Sequence, residues 1–163
     1  MDTLFPLAAE AAERLKARGE TIAVGESAGG GLVCAALVAQ PGASAFFLGG
    51  TVVYTREAGR ALRDRTTLDL AGLDPLTEPF AQALANGLRR QMGSIWATSE
   101  MGAAGPAPSP YGPAAGTGVV AVSGPVSRAT IIETGSTDRI ANMRAFGRAT
   151  LTLLIDCIDK AGT

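Results

Sequence analysis

Thr21-Ile22-Ala23-Val24 is a short apolar run that ends in the turn Gly25-Glu26-Ser27-Ala28-Gly29-Gly30-Gly31, and a mostly apolar stretch follows as far as Gln40. An apolar run of that length bounded by glycines reads as a buried strand, and Gly31 to Gln40 reads as a helix stopped by Pro41-Gly42. The unit is therefore strand, turn, helix. It sets a serine among glycines at the point where a strand hands over to a helix.

The rest of the chain repeats the alternation. Leu4, Leu7, Ala8, Ala11, Ala12 and Leu15 recur at helical spacing, and Gly19 supplies a stop, so a first helix is expected over about residues 3 to 18. After Phe46-Phe47-Leu48 and Gly49-Gly50, the β-branched run Thr51 to Tyr54 reads as a central strand. Thr55 then suits the cap of a helix over Glu57 to Leu62, and Thr77 that of a longer one over Glu78 to Met92, with Phe80, Leu84 and Leu88 on one face. Asp64 to Pro75 is irregular, with Leu68, Leu70 and Leu73 as packing points. Ser94 to Ser99, containing Trp96, reads as another strand.

Gly102 to Gly116 is too rich in proline and glycine for regular structure. Thr117 to Val122 and Ala129 to Glu133 read as a hairpin joined around Gly124-Pro125. Asp138 caps a last helix, to Asp159, with Ile140, Met143, Phe146, Thr150, Leu153 and Leu154 facing inward. Strands alternating with helices, then a hairpin and a final helix, give an α/β fold with a mixed sheet covered by helices on both faces. Residues 25 to 31 and 102 to 118 each follow a strand, where such folds gather their sites, so the two segments are expected to share one cleft.

The 163 residues are the length of one domain, 1 to 163, and with 47% hydrophobic and 18% charged residues they can bury a core. Fourteen Lys and Arg against 15 Asp and Glu leave a formal charge of −1, which argues against nucleic acid as a partner. No run approaches the roughly 18 apolar residues of a membrane span, and the start has no basic leader, so a cytoplasmic protein is expected. Cys34 and Cys157 each lie in an apolar helical pattern and read as buried thiols, with no metal site and no cofactor expected.

The chain has no histidine, so neither a Ser-His-Asp triad nor a His-ligated metal is available. Lys16 and Lys160 are its two lysines, and arginine is a very poor general base. Gly25-Glu26-Ser27-Ala28-Gly29 fits the G-x-S-x-G nucleophile elbow, yet lacks the histidine of the usual version. Gly25 to Gly30 fits the start of a phosphate-binding loop, but Gly31-Leu32 stands where Lys and Ser/Thr belong. What remains is a helix N-terminus whose N–H groups suit a phosphate or an oxyanion, with Ser27 as a plain helix cap the alternative.

Glu26-Ser27-Ala28-Gly29-Gly30-Gly31 is similar to an E-S-x-T-G-G signature, and Pro41 to Gly50 running on to Tyr54 is similar to P-G-x-S-x-x-F-x-G-G…Y. Thr77-Glu78, Gly102-Ala103-Ala104-Gly105-Pro106, Gly116-Thr117 and Asp138-Arg139 with Arg144 fit further blocks in order. Together they resemble the CinA C-terminal domain, the family of nicotinamide mononucleotide amidases and competence/damage-inducible proteins. The resemblance implies a three-layer α/β/α fold. It also implies hydrolysis of the carboxamide of nicotinamide mononucleotide to nicotinate mononucleotide and ammonia, by a serine nucleophile activated by a lysine.

On this sequence the resemblance puts the nucleophile at Ser27, and Tyr54 is a further catalytic candidate as a substitute base. Gly29, Gly30, Gly31, Gly102, Gly105, Thr117, Arg139 and Arg144 fall at ligand-binding positions. The lysine position is occupied by Gly59, and the family's threonine before the paired glycines by Gly29; Met101 stands for a threonine or serine, and a lysine before Gly116-Thr117 is missing. The expectation is a catalytically impaired relative that binds a small molecule or nucleotide, or acts through protein contacts, and forms a homo-oligomer. The alternative is an active amidohydrolase that replaces the lysine by Tyr54, Glu26, Glu57 or a water relay.

Overall fold

The computed structural model describes residues 3–63, 70 and 72–162. In chain order the elements are α1 (Phe5–Arg18), β1 (Ile22–Glu26), α2 (Leu32–Val38), β2 (Phe47–Val52), α3 (Arg56–Arg63), α4 (Glu78–Met92), β3 (Trp96–Gly102), β4 (Thr117–Ser123), β5 (Arg128–Glu133) and α5 (Arg139–Lys160). The strands form one mixed sheet in the order β2-β1-β3-β4-β5. β1 runs parallel to both β2 and β3, whereas β3, β4 and β5 are successively antiparallel, with β4 and β5 forming the expected hairpin.

α2 and α5 cover one face of the sheet, with α1 packed across both of them, and α4 covers the other over β1, β3, β4 and β5. The larger core lies on the α1/α2/α5 side, where Leu4, Ile22, Val24, Leu37, Phe46, Trp96 and Leu154 are fully buried. α4 lies close to the sheet because its inner face carries Ala81 and Ala85, which meet Met101, Val119 and Ala121. Trp96 is buried as a core ring, and its Nε1 donates to Glu20 at 2.7 Å.

The local signals hold where expected. The Thr55, Thr77 and Asp138 side chains accept from the backbone N–H groups of Ala58, Phe80 and Ala141, so each caps the helix that follows it. Two readings change. Of the run at 51 to 54, Thr51 and Val52 end a strand that begins at Phe47, Val53 and Tyr54 lie past it, and the strand is at the sheet edge, because β-branched residues mark a strand without fixing its neighbours. On α5, Phe146, Thr150, Leu153 and Leu154 are buried and Met143 is half-buried, whereas Ile140, in the first turn, is 54% exposed. Leu70 is buried and Leu73 half-buried; Leu68 lies outside the described residues. Among the described residues no helix is long and apolar enough to cross a membrane.

Candidate active-site cleft

Side chains alternate along a strand, so Ile22, Val24 and Glu26 of β1 face the α2/α5 layer, as do Trp96, Thr98 and Glu100 of β3. Gly25 pairs with Ser99, which makes Glu26 and Glu100 neighbours one step beyond that register. Two carboxyl groups, each 2% exposed, therefore lie side by side under the glycine turn.

The Glu26 side chain accepts from three backbone donors at the start of α2: Gly31 N at 3.0 Å and Val33 N at 3.2 Å on one oxygen, Cys34 N at 2.8 Å on the other. It satisfies N–H groups that have no partner within the helix and places a carboxylate at the positive end of the helix dipole. Glu26, not Ser27, is thus the cap of α2.

Glu100 takes the turn itself. Its Oε2 accepts from Gly29 N at 2.7 Å and Ser27 N at 3.1 Å, while its Oε1 is buried with no hydrogen-bond partner. Burial pushes the Glu100 carboxyl up to about 7; the two N–H donors act in the opposite sense, and the charge of Glu26 adds to the rise. A Cβ at position 29 would stand 2.8 Å from Glu26 Oε2 and 2.9 Å from Glu100 Oε2, so the turn holds this carboxyl pair because residue 29 has no side chain. Cys34 is no alternative nucleophile, since burial and then the charge of Glu26 drive its thiol far up.

α4 packs mainly over β1, β3, β4 and β5, and between it and β2 a cleft of about 1,210 Å³ opens at the carboxyl ends of β1 and β3. Ser27, Tyr54, Gly102, Gly105 and Arg139 all line it. The two glycine-rich segments therefore meet in one site, through Gly25 to Ser27 and Gly102 to Gly105. Phe80, Leu84 and Leu88, on the face of α4 beside its alanines, form an apolar wall.

Arginine gathers at the cleft. Arg56, Arg60, Arg90 and Arg139 line it, and two of them are held by tyrosines. The Arg139 guanidinium donates to Gly105 O at 2.8 Å and to the Tyr54 hydroxyl, tying the start of α5 to the loop after β3 and to the end of β2. Arg56 lies over the Tyr111 ring, 4.7 Å from its centroid, and donates to its hydroxyl at 3.0 Å.

Other nominated residues stand elsewhere. Gly29, Gly30 and Gly31 are not among the lining residues, and their N–H groups are taken by Glu100, by the Ser27 carbonyl and by Glu26. The free N–H cradle expected at this helix start is filled by the protein's own carboxyl groups. Thr117 opens β4, where its backbone pairs with Ala103 and Ala114, and Arg144 is exposed on α5; neither lines the cleft. Neither lysine does: Lys16 donates to Pro41 O, and Lys160 ends α5. The proposed substitute bases Glu26, Glu57 and Tyr54 all line the cleft, but both oxygens of Glu26 are engaged by α2. Glu100, Arg56 and Tyr111 went unnoticed in the sequence, although an acidic residue inside the otherwise uncharged run 94 to 99 and its continuation was a visible signal.

Residues 4–158 match the CinA C-terminal domain family. A CinA-like protein of Anaeromyxobacter dehalogenans is 38% identical over 135 residues, 82% of this chain and 33% of that protein. Another, of Prochlorococcus marinus, is 38% identical over 73% of this chain and 28% of its own length. The chain thus spans about a third of the length of these curated relatives. Among solved structures, a competence-damaged protein (CinA) superfamily protein of Klebsiella pneumoniae superposes with a TM-score of 0.85 at 26% identity, covering 96% of this chain and 98% of that one. A competence damage-inducible protein A, also of Klebsiella pneumoniae, gives 0.83 at 28% identity, covering 94% and 95%.

Proposed function

The chain belongs to the CinA C-terminal domain family, and from that membership we propose that its cleft binds a small phosphate-bearing nucleotide without efficient amide hydrolysis, nicotinamide mononucleotide being the first ligand to test. The observation that carries this reading is what surrounds Ser27. Acyl transfer by a serine needs a base to take its proton and free donors to hold the oxyanion. No lysine reaches the cleft, and the N–H groups of Ser27 and Gly29 are occupied by Glu100. The phosphate has partners of the right charge in the cleft arginines, Arg139 above all.

The convergence of Ser27, Tyr54, Gly102, Gly105 and Arg139 on one cleft supports a second reading, an active amidohydrolase with Ser27 as nucleophile. One experiment separates them: ammonia release from nicotinamide mononucleotide by the wild type, Ser27→Ala and Gly59→Lys, beside calorimetric binding of the same nucleotide. Gly59 lines the cleft, and a Cβ there meets nothing closer than Val53 Cγ1 at 3.7 Å, so a lysine has room to start. Binding without turnover in the wild type, with ammonia appearing in Gly59→Lys, is the expected result. Wild-type turnover that Ser27→Ala abolishes would establish the second reading, and no binding at all would remove both.

A further inference from the structure

We propose that Glu100 determines the charge of the group the cleft accepts beside Ser27: an uncharged carboxamide is admitted and the corresponding carboxylate is turned away. The inference rests on the reading above, in which the carboxamide end of the ligand faces Ser27 and its phosphate lies among the arginines.

Successive N–H groups at a glycine-rich turn before a helix ordinarily form an anion site. Here the donors of Ser27 and Gly29 are bonded to a carboxyl group that comes from the neighbouring strand, at 3.1 and 2.7 Å. An anion arriving at Ser27 finds those donors taken and, once Glu100 is ionised, a like charge directly behind them. A neutral amide meets no such repulsion.

The pairing of residues 29 and 100 gives the arrangement its specificity. With a threonine at position 29, as in the signature this turn resembles, the Cβ would crowd both carboxyl groups, so Gly29 and Glu100 belong to one device. The Glu100 Oε2 holds the turn, but its Oε1 is buried without a hydrogen-bond partner. A buried group of that kind takes a proton readily, and burial raises its pKa to about 7.

The surroundings leave Glu100 in control of the local charge. Glu26 on β1 is the ionisable side chain beside it, and Ala28, Ala104, Met143 and Phe146 form an apolar cluster at the same end of the molecule. Across the cleft Arg56, Glu57, Arg60, Arg90, Arg139 and Tyr54 line the walls. Discrimination should therefore grow as pH rises through neutrality, where Glu100 gains its charge.

The test is the ratio of affinities for nicotinamide mononucleotide and nicotinate mononucleotide, which differ at the amide, measured by calorimetry between pH 6 and pH 8.5. Like charges a few ångströms apart behind a protein surface change binding by about tenfold or more. The wild type is expected to favour the amide by at least about tenfold at pH 8.5, and by less at pH 6. Glu100→Gln keeps an acceptor for the two N–H groups but carries no charge, so its ratio should be small and independent of pH. Glu100→Met, apolar and of similar length, should behave alike and serves if the glutamine variant fails to fold. A wild-type ratio near one, or a ratio that survives both substitutions, overturns the inference while leaving nucleotide binding intact. Failure of both nucleotides to bind counts instead against the function on which the inference rests.

Discussion

At the scale of single residues, Glu100 is where stability and function meet. Its carboxyl is fully buried with one oxygen unpartnered, and its pKa rises from 4.5 to about 7 on folding. An acid whose folded-state pKa is raised binds more protons in the folded chain than in the unfolded one between those two values. Stability from this group accordingly falls as pH increases from about 4.5 to about 7, and the penalty is constant above that. At 1.36 kcal/mol per pH unit the whole effect is on the order of 3 kcal/mol. Urea unfolding at pH 5 and pH 8.5 should show the wild type losing stability relative to Glu100→Gln over that interval. Parallel changes in the two proteins would mean that Glu100 is already ionised in the folded state at pH 5. Ser27, which the sequence left open as a plain helix cap, illustrates how little separates two roles: the helix takes its cap from Glu26, one residue before, and leaves Ser27 to the cleft.

At the scale of elements, what was legible in the sequence was local. Glu78–Met92 could be bounded because its Thr77 cap and the stop at Gly93 act within a turn of the helix ends, and the same holds for α5 after Asp138. The place of β2 at the sheet edge was not legible, because strand order depends on contacts between distant segments. The cradle under the turn was hidden for the same reason: Glu100 reaches Ser27 and Gly29 across 73 and 71 positions of chain. α2 depends on a buried carboxyl too, though its partner is near in sequence. This seven-residue helix follows a glycine at its cap position, and three N–H groups at its start donate to Glu26 alone. Glu26→Ala leaves those buried donors unsatisfied, and at typical values for hydrogen bonds to a charged group the loss is about 3 kcal/mol or more. The expected outcome is a lower urea midpoint with α1, α4 and α5 still contributing to helical circular dichroism below it; an unchanged midpoint would show that water replaces Glu26 without cost.

At the scale of the whole molecule, the cleft is a product of coverage. α4 packs mainly over four strands, and the side of β2 that it leaves open becomes a wall that α3 and the loop after β3 complete. Residues as far apart in sequence as Gly25 and Arg139 meet there, so a ligand ties together segments drawn from most of the chain. Sequence blocks nominated both Arg139 and Arg144, five positions apart on α5, and only the three-dimensional path of the helix separates them. Arg139 reaches Gly105 and Tyr54 at the cleft, whereas Arg144 lies exposed outside it. A ligand at a hundred times its Kd stabilises a folded protein by about 2.7 kcal/mol. For a chain of this size that is a rise of roughly 5 to 10 °C in Tm. With nicotinamide mononucleotide as ligand, Arg144→Gln should keep the full rise. Arg139→Gln should lose most of it at the same concentration, because the guanidinium nearest the proposed phosphate and its tie between β2 and α5 both disappear. Equal rises in the two variants would move the phosphate away from Arg139, to the Arg56 and Arg60 side of the cleft, since those are its other cationic walls together with Arg90.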